Sequence, residues 1–319
     1  AQDDVMAIIR SSAKGDFVAD SDEQKVGGLY SSYMDMEKRD ALGVSPIKSE
    51  FARIASIKNH DELAVYFARA SKYELATPFF IGQYVDLKNP ETYMIHTWQA
   101  GLGLPDREYY FKKDDANQII RNAYVKHIAT MFNLVGLNNS ESNADLVMKL
   151  ESTLAQQHMK KEQTRDMVAL YNKLSQAELA ELMPNFNWTA FLQEAQLPAL
   201  DGLVVTQLDY MKSLDGIIQT TSIDDWKVFL QWGLINASAT RLTTELDQAN
   251  FEFYSKVLNG VEQQLPQWRR AVRLVNNNVG EIIGKVYVKK HFPPEAKERM
   301  LQMVDNLLKA YETSIKNLD

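Results

Sequence analysis

Cysteine is absent from this chain of 319 residues. Disulfide frameworks, thiolate metal ligands and thiol nucleophiles are therefore excluded. The chain has 9 prolines and 14 glycines, with no repeat of fixed period, no low-complexity tract and no long linker. No apolar run approaches the length needed to span a bilayer. Positive charge is also in deficit, with 35 Lys and Arg against 42 Asp and Glu and a net charge of −7. That balance argues against nucleic acid as a partner. The densest basic cluster is Arg269, Arg270 and Arg273. Its helical spacing reads as a solvated helix face rather than a phosphate site.

Histidine is scarce. The five are His60, His96, His127, His158 and His291. None is followed by Glu, and no two share a helical turn, so the zinc motif His-Glu-x-x-His is missing. Glu-x-x-His never occurs either, which removes a ferritin-like di-iron centre. Gly101-Leu102-Gly103 lacks the third glycine of a dinucleotide loop, because Asp106 stands there. Gly280-Glu281-Ile282-Ile283-Gly284-Lys285 is one residue short of a phosphate loop and lies in a helical pattern.

What remains is ordinary for a soluble globular protein, at 45% hydrophobic and 24% charged residues. The length suits about two domains or one large one. The beginning, Ala1-Gln2-Asp3-Asp4, has neither Met nor a signal peptide and reads as the middle of a longer chain.

Helical signals dominate. Ser21 with Gln24, Asn59 with Glu62, Ser175 with Glu178 and Ser222 with Asp225 have the spacing of N-terminal caps. Val26, Leu29, Tyr30, Tyr33 and Met36 form a three-four stripe after the first cap. Gly43 is a stop, and Ser45-Pro46 a restart. Ile119, Ile120, Ala123, Tyr124, Ile128, Met131, Phe132 and Val135 line one long face, ended by Gly136. A further helix is predicted over 144–161, and another after Pro266. The last opens at Pro293-Pro294-Glu295, with Met300, Met303, Val304, Leu307, Leu308, Tyr311 and Ile315 expected to face inward. One stretch breaks the pattern. Aromatic and β-branched residues in 79–85, a turn at Asn89-Pro90 and a return over 93–98 predict a β-hairpin. The fold class is mainly α, a multi-helix lobe with one small β-hairpin. Gly, Pro and Asp density over 197–216 marks a possible subdomain joint.

Candidate residues for chemistry are few. Glu162-x-x-x-Asp166 has the spacing of a downstream zinc-ligand motif but no partner motif before it. His158 and Glu162, one turn apart, read as a surface pair. Glycosylation triplets stand at Asn138, Asn187 and Asn236. Tyr109-Tyr110-Phe111 clusters beside a Leu-Pro turn and reads as a corner clamp. The candidate structural motif is Leu104, Pro105, Asp106, Arg107, Tyr109 and Tyr110.

The word Gly101-Leu102-Gly103-Leu104-Pro105-Asp106-Arg107-Glu108-Tyr109-Tyr110 resembles a signature of the neprilysin family of zinc metallopeptidases. Further words are similar to that family's N-terminal half and come in its order. They are Arg165-Asp166 with Tyr171-Asn172-Lys173-Leu174, then Asn250 through Lys256 with Gln264 through Arg270. Val279-Gly280-Glu281 through Tyr287-Val288, Phe292 through Lys297, and Ile315 through Asp319 complete the series.

The resemblance implies a zinc endopeptidase of two lobes. A thermolysin-like C-terminal lobe holds zinc, and the N-terminal helical lobe closes over it so that only short peptides enter. The expectation is that residues 1–319 are that helical lobe, resembling bacterial endopeptidase O, with the catalytic zinc lobe absent. No catalytic, zinc or substrate residue of the family maps onto a position here. The fragment is therefore expected to bind no zinc and to be inactive alone, although the parent hydrolyses peptides. Its implied partners are the C-terminal lobe and short peptide substrates, with no nucleic acid and no membrane span. The missing cysteines depart from disulfide-rich animal members and fit a bacterial periplasmic or cell-envelope enzyme. The alternative is a free-standing helical interaction module without catalysis.

Overall fold

A computed structural model describes residues 2–197 and 200–318. In chain order come α1 (Gln2–Lys14), α2 (Asp22–Met34), α3 (Met36–Leu42), α4 (Lys48–Ser56), α5 (His60–Lys72), β1 (Phe79–Asp86) and β2 (Asn89–Gln99). Next are α6 (Glu108–Phe111), α7 (Asp115–Leu134), α8 (Ser140–Gln157), β3 (Lys173–Leu174), α9 (Gln176–Leu182), α10 (Trp188–Glu194) and β4 (Leu203–Val205). Last come α11 (Leu208–Thr220), α12 (Ile223–Ser238), α13 (Thr244–Asn250), α14 (Gln267–His291) and α15 (Pro294–Lys316). Of the described residues, 67% are helical.

The caps explain where helices start. The side-chain oxygens of Ser21, Asn59, Ser175 and Ser222 accept the backbone N–H of Gln24, Glu62, Glu178 and Asp225 at 2.9–3.2 Å. Each satisfies one of the donors that a helix start leaves without a partner. Ser175 and Glu178 complete a reciprocal box.

Two compact units emerge, residues 1–38 with 264–319, and residues 39–263. In the first, Ile9, Val26, Val275 and Ile283 are buried together, drawn from α1, α2 and α14. A Cβ on Gly27 would collide with the backbone of Ser12 and Ala13, so only glycine lets α2 approach α1 this closely. In α14, the glycines of Gly280-Glu281-Ile282-Ile283-Gly284-Lys285 lie inside the helix, just past non-helical backbone at Val279.

The second unit holds the larger core. Phe67, Phe79, Trp188, Phe191, Tyr210, Trp226 and Phe229 are among its large buried members. A neighbouring cluster gathers Tyr124, Ile128, Phe132 and Trp232 around α7, α8 and α12. Helix α12 buries Trp226, Phe229, Leu230, Trp232, Leu234 and Ile235, apolar on nearly every side, as a central helix must be.

The predicted hairpin is present, β1 against β2, antiparallel from Phe79↔Gln99 to Asp86↔Asn89. Two short strands extend it to a sheet of order β1-β2-β4-β3, with β4 parallel to β2 and β3 antiparallel to β4. The stretch 197–216 falls inside the second unit, and Pro198 and Ala199 within it lie outside the described residues, as do Ala1 and Asp319.

Three expectations are corrected. Helix α15 has no buried residue, and Leu308 and Ile315 are 62% and 63% exposed. Its three-four stripe is real, but periodicity reports an apolar face and not which body covers it. Ile119 is 63% exposed, one position off the stripe that buries Tyr124, Ile128 and Met131. The helix expected over 144–161 begins earlier, at Ser140, and ends at Gln157.

Candidate functional site

The word Gly101–Tyr110 folds as a turn leading into α6, and it closes over a buried carboxylate. Glu151, 1% exposed, comes from α8, where Val147, Leu150 and Leu154 are also buried. Its Oε2 accepts the Tyr110 hydroxyl at 2.6 Å and its Oε1 the Tyr124 hydroxyl at 3.0 Å. The backbone N–H of Gly103 donates to it as well. Trp232 Nε1 donates to the Tyr124 hydroxyl at 3.1 Å, and Leu104 N–H to the Tyr110 hydroxyl at 3.1 Å. A Cβ at Gly103 would overlap the Tyr124 hydroxyl, and Gly101 holds φ +90. Gly101 is therefore dictated by its left-handed backbone and Gly103 by the close approach of the Tyr124 hydroxyl.

Among the described residues, the partners of Glu151 are the Tyr110, Tyr124 and Trp232 side chains and the Gly103 N–H, none of them a cation. Burial disfavours the charged form, and the Glu151 carboxyl is pushed up to about 7 despite its hydrogen bonds. Burial, then the Glu151 charge, raises the Tyr110 and Tyr124 phenols well above their ordinary value. A cavity of about 320 Å³ opens beside it, lined by Gly101, Leu102, Gly103, Glu151, Phe229 and Trp232 among others.

The remaining residues of the candidate motif sit around this point. Leu104 is buried. Asp106 Oδ1 accepts Glu108 N–H at 2.9 Å, tightening the turn after Pro105. Arg107 Nε donates to the Ala155 carbonyl at 3.2 Å, and its Nη1 meets Glu108 at 3.3 Å. Phe111 faces the guanidinium, at 5.7 Å. The Tyr109 carbonyl accepts from Arg121 at 2.8 Å.

The histidines are scattered. His158 Nε2 meets the Ala100 carbonyl at 3.1 Å rather than Glu162, and its ring edge packs on Tyr210. His127 stacks on Phe253, and its Nε2 has no hydrogen-bond partner. Burial pushes both down to about 4. Glu162 and Asp166 flank a 3-10 turn, where Asp166 caps the N–H of Val168 and Ala169 at 3.1 Å. Among the described residues, no three His, Asp or Glu side chains converge to hold a metal ion, so the donors do not fit zinc.

Sequence reasoning missed Glu151. The available signal was an acidic residue on a core stripe, at the position where α8 otherwise places Val147, Leu150 and Leu154. His127 carries the same signal within α7.

The whole chain, residues 1–319, matches a family model described as Peptidase family M13. Human endothelin-converting enzyme 1 is 25% identical over 312 residues, which is 93% of this chain and 40% of that protein. The zinc metalloprotease Zmp1 of Mycobacterium tuberculosis, in its open state, superposes with TM-score 0.89 at 35% identity. That superposition covers 100% of this chain and 50% of Zmp1. PepO from Lactobacillus shares the fold at TM-score 0.79 and 17% identity. The chain thus spans about half the length of the proteins it superposes on, or less than half of the curated relatives. It belongs to peptidase family M13, the neprilysin family, and corresponds to the N-terminal domain of its members.

Proposed function

We propose that this chain is the substrate-restricting lobe of a zinc metalloendopeptidase. The parent hydrolyses peptide bonds with a zinc-activated water, and its zinc and catalytic residues lie in the rest of the parent polypeptide. The observation that carries this reading is the superposition of the entire chain on half of a zinc metalloprotease. The lobe supplies a chamber wall and breaks no bond. A closed chamber admits short flexible peptides and expels water around the reacting bond. Leu104, Pro105, Asp106, Arg107, Tyr109 and Tyr110 are structural, pinning a turn onto Glu151 and the end of α8.

The C-terminal catalytic lobe is the partner. The exposed stripe of α15 supports this, because folded chains seldom leave a contiguous apolar face uncovered. The stripe is broad. Met300, Val304, Leu307 and Tyr311 form a seam, and Met303, Leu308 and Ile315 widen it, which suits a globular body better than a single partner helix. Among the described residues, no helix is long and apolar enough to cross a membrane. The cysteine-free composition suits a bacterial periplasmic or cell-envelope enzyme.

The test uses the full parent enzyme and a ladder of substrates, from pentapeptides to a small folded protein. Zinc-dependent cleavage should fall steeply with substrate size. Equal cleavage of short peptides and folded protein overturns size restriction.

A further inference from the structure

The first unit holds a cavity of about 430 Å³ that the proposed function leaves without a role. Arg269 and Arg273, one turn apart on α14, line it together with Trp268, Asn276 and Asn277. Its apolar wall comes from Val5, Met6, Leu265 and Val272.

The charge arrangement is unusual. Arg269 stands 5.1 Å and Arg10 5.4 Å from the centroid of the same Trp268 ring. Indole attracts each guanidinium, but two like charges around one ring repel each other. Among the described residues, no carboxylate forms an ion pair with Arg10, Arg269 or Arg273. Their neighbour Arg270 behaves differently. It turns toward its own unit, donating to the Leu265 carbonyl at 3.1 Å and meeting the Tyr33 hydroxyl at 3.4 Å. Arg269 and Arg273 are exposed, as the solvated face read from the sequence requires, while Arg270 is half-buried. Arg270 secures the helix start, and Arg269 and Arg273 face a cavity.

We propose that this cavity binds an organic carboxylate carried on an apolar body. Arg269 and Arg273 line the cavity one helical turn apart, and their planar forks match a carboxylate in two-point contact. The apolar wall covers the body of the ligand, which a bare inorganic anion lacks. The side-chain amides of Asn276 and Asn277 provide donors and acceptors for an adjoining peptide group. Asp3 also lines the cavity and opposes an anion, but the lining places two guanidiniums against this one carboxylate.

The test is calorimetric titration of the 319-residue chain at low ionic strength, where surface charge is least screened. The probes are hexanoate, N-acetyl-leucinate, inorganic phosphate and 1-hexanol. At least one of the two carboxylates should saturate a single site, more tightly than phosphate or hexanol. Tighter binding of N-acetyl-leucinate assigns the natural ligand to a peptide end, and tighter hexanoate assigns it to a fatty acid. Arg269→Ala with Arg273→Ala should weaken binding about tenfold or more while leaving the melting temperature unchanged. Arg269→Lys with Arg273→Lys keeps the charge, loses the fork and should fall between. Trp268→Phe keeps an aromatic face and should retain part of the affinity. The proposal is overturned if neither carboxylate binds saturably, if phosphate or hexanol binds as well, or if the double alanine variant binds like the parent chain.

Discussion

The Tyr110 hydroxyl donates to Glu151 Oε2 at 2.6 Å, joining positions 41 residues apart in sequence. The same oxygen accepts Leu104 N–H, so one phenol ties the Leu-Pro turn to the middle of α8. Tyr110→Phe removes both bonds at once and leaves a buried N–H and a carboxylate lone pair without partners. The expected loss is about 1–3 kcal/mol of unfolding free energy. Urea denaturation checks it, with an unchanged slope showing that the fold itself is retained. A variant as stable as the parent chain would mean that the turn is held elsewhere.

Glu151 also makes stability depend on pH. Its carboxyl is pushed up to about 7 by burial, against an ordinary value of 4.5. A raised carboxyl holds its proton more tightly in the fold than in the unfolded chain. Its contribution is complete below pH 4.5 and is lost as pH rises through about 7. Glu151→Gln preserves volume and an acceptor but cannot ionise. The stability of the variant relative to the parent chain should climb between pH 4.5 and 7, by about 3 kcal/mol at most. Denaturation at pH 5 and pH 8 measures the difference. The same offset at both values would rule out ionisation of Glu151 in the fold.

The buried histidines act with the opposite sign. His127 and His158 are pushed down to about 4, below their ordinary 6.5. Their contribution is complete above pH 6.5 and disappears as pH falls through about 4. Between the two limits, two histidines outweigh one glutamate, so these three groups together make stability rise with pH. His127→Phe keeps a ring against Phe253 and removes an Nε2 that has no partner. Relative to the parent chain, this variant should gain stability steadily from pH 6.5 down to 4. A gain independent of pH would show that packing, not titration, is the cause.

Helix starts were legible because capping is local. Ser21, Asn59, Ser175 and Ser222 need only the residue three positions on. The hairpin was legible because its alternation and turn lie within one stretch. The strands β3 and β4, at two and three residues, were not, since pairing across long sequence distances creates them. The helical stretch Phe251–Val257 has π geometry, which no periodicity announces. The candidate word was visible, but its acceptor was not. Glu151 gains meaning only when α7, α8 and the turn meet, because a hydrogen-bonded carboxylate is tolerated where an unpaired one is not.

Arg107 links the turn to the end of α8 through the Ala155 carbonyl. Its side chain is 19% exposed, so the bond is partly shielded from water. Arg107→Ala should cost about 1 kcal/mol, or roughly 2–4 °C in melting temperature for a unit of this size. In the parent enzyme, activity should fall through lost folded protein, with an unchanged Michaelis constant. Unchanged stability with a raised Michaelis constant would instead place Arg107 in contact with substrate.

The stripe on α15 makes the last prediction. Met300, Leu301, Met303, Val304, Leu307, Leu308, Tyr311 and Ile315 are exposed, on a helix that buries none of its own residues. Such a face is stabilised by whatever removes it from water, at roughly 25 cal/mol per Å² of apolar area. Without a partner, the nearest supply of apolar surface is a second copy of the chain. The isolated chain should therefore self-associate weakly, with a sedimentation coefficient that rises with concentration. Val304→Lys with Leu307→Glu should abolish the rise. Because neither side chain is buried, the melting temperature should stay within a degree or so of the parent chain. Adding the catalytic half of the parent, by fusion or in trans, should suppress self-association and restore zinc-dependent cleavage. Each arm can fail separately. A chain that stays monomeric at high concentration rules out the sticky face. A double variant that melts much lower shows that α15 is packed after all. Folded halves with no mutual affinity and no recovered cleavage remove the catalytic lobe as the partner.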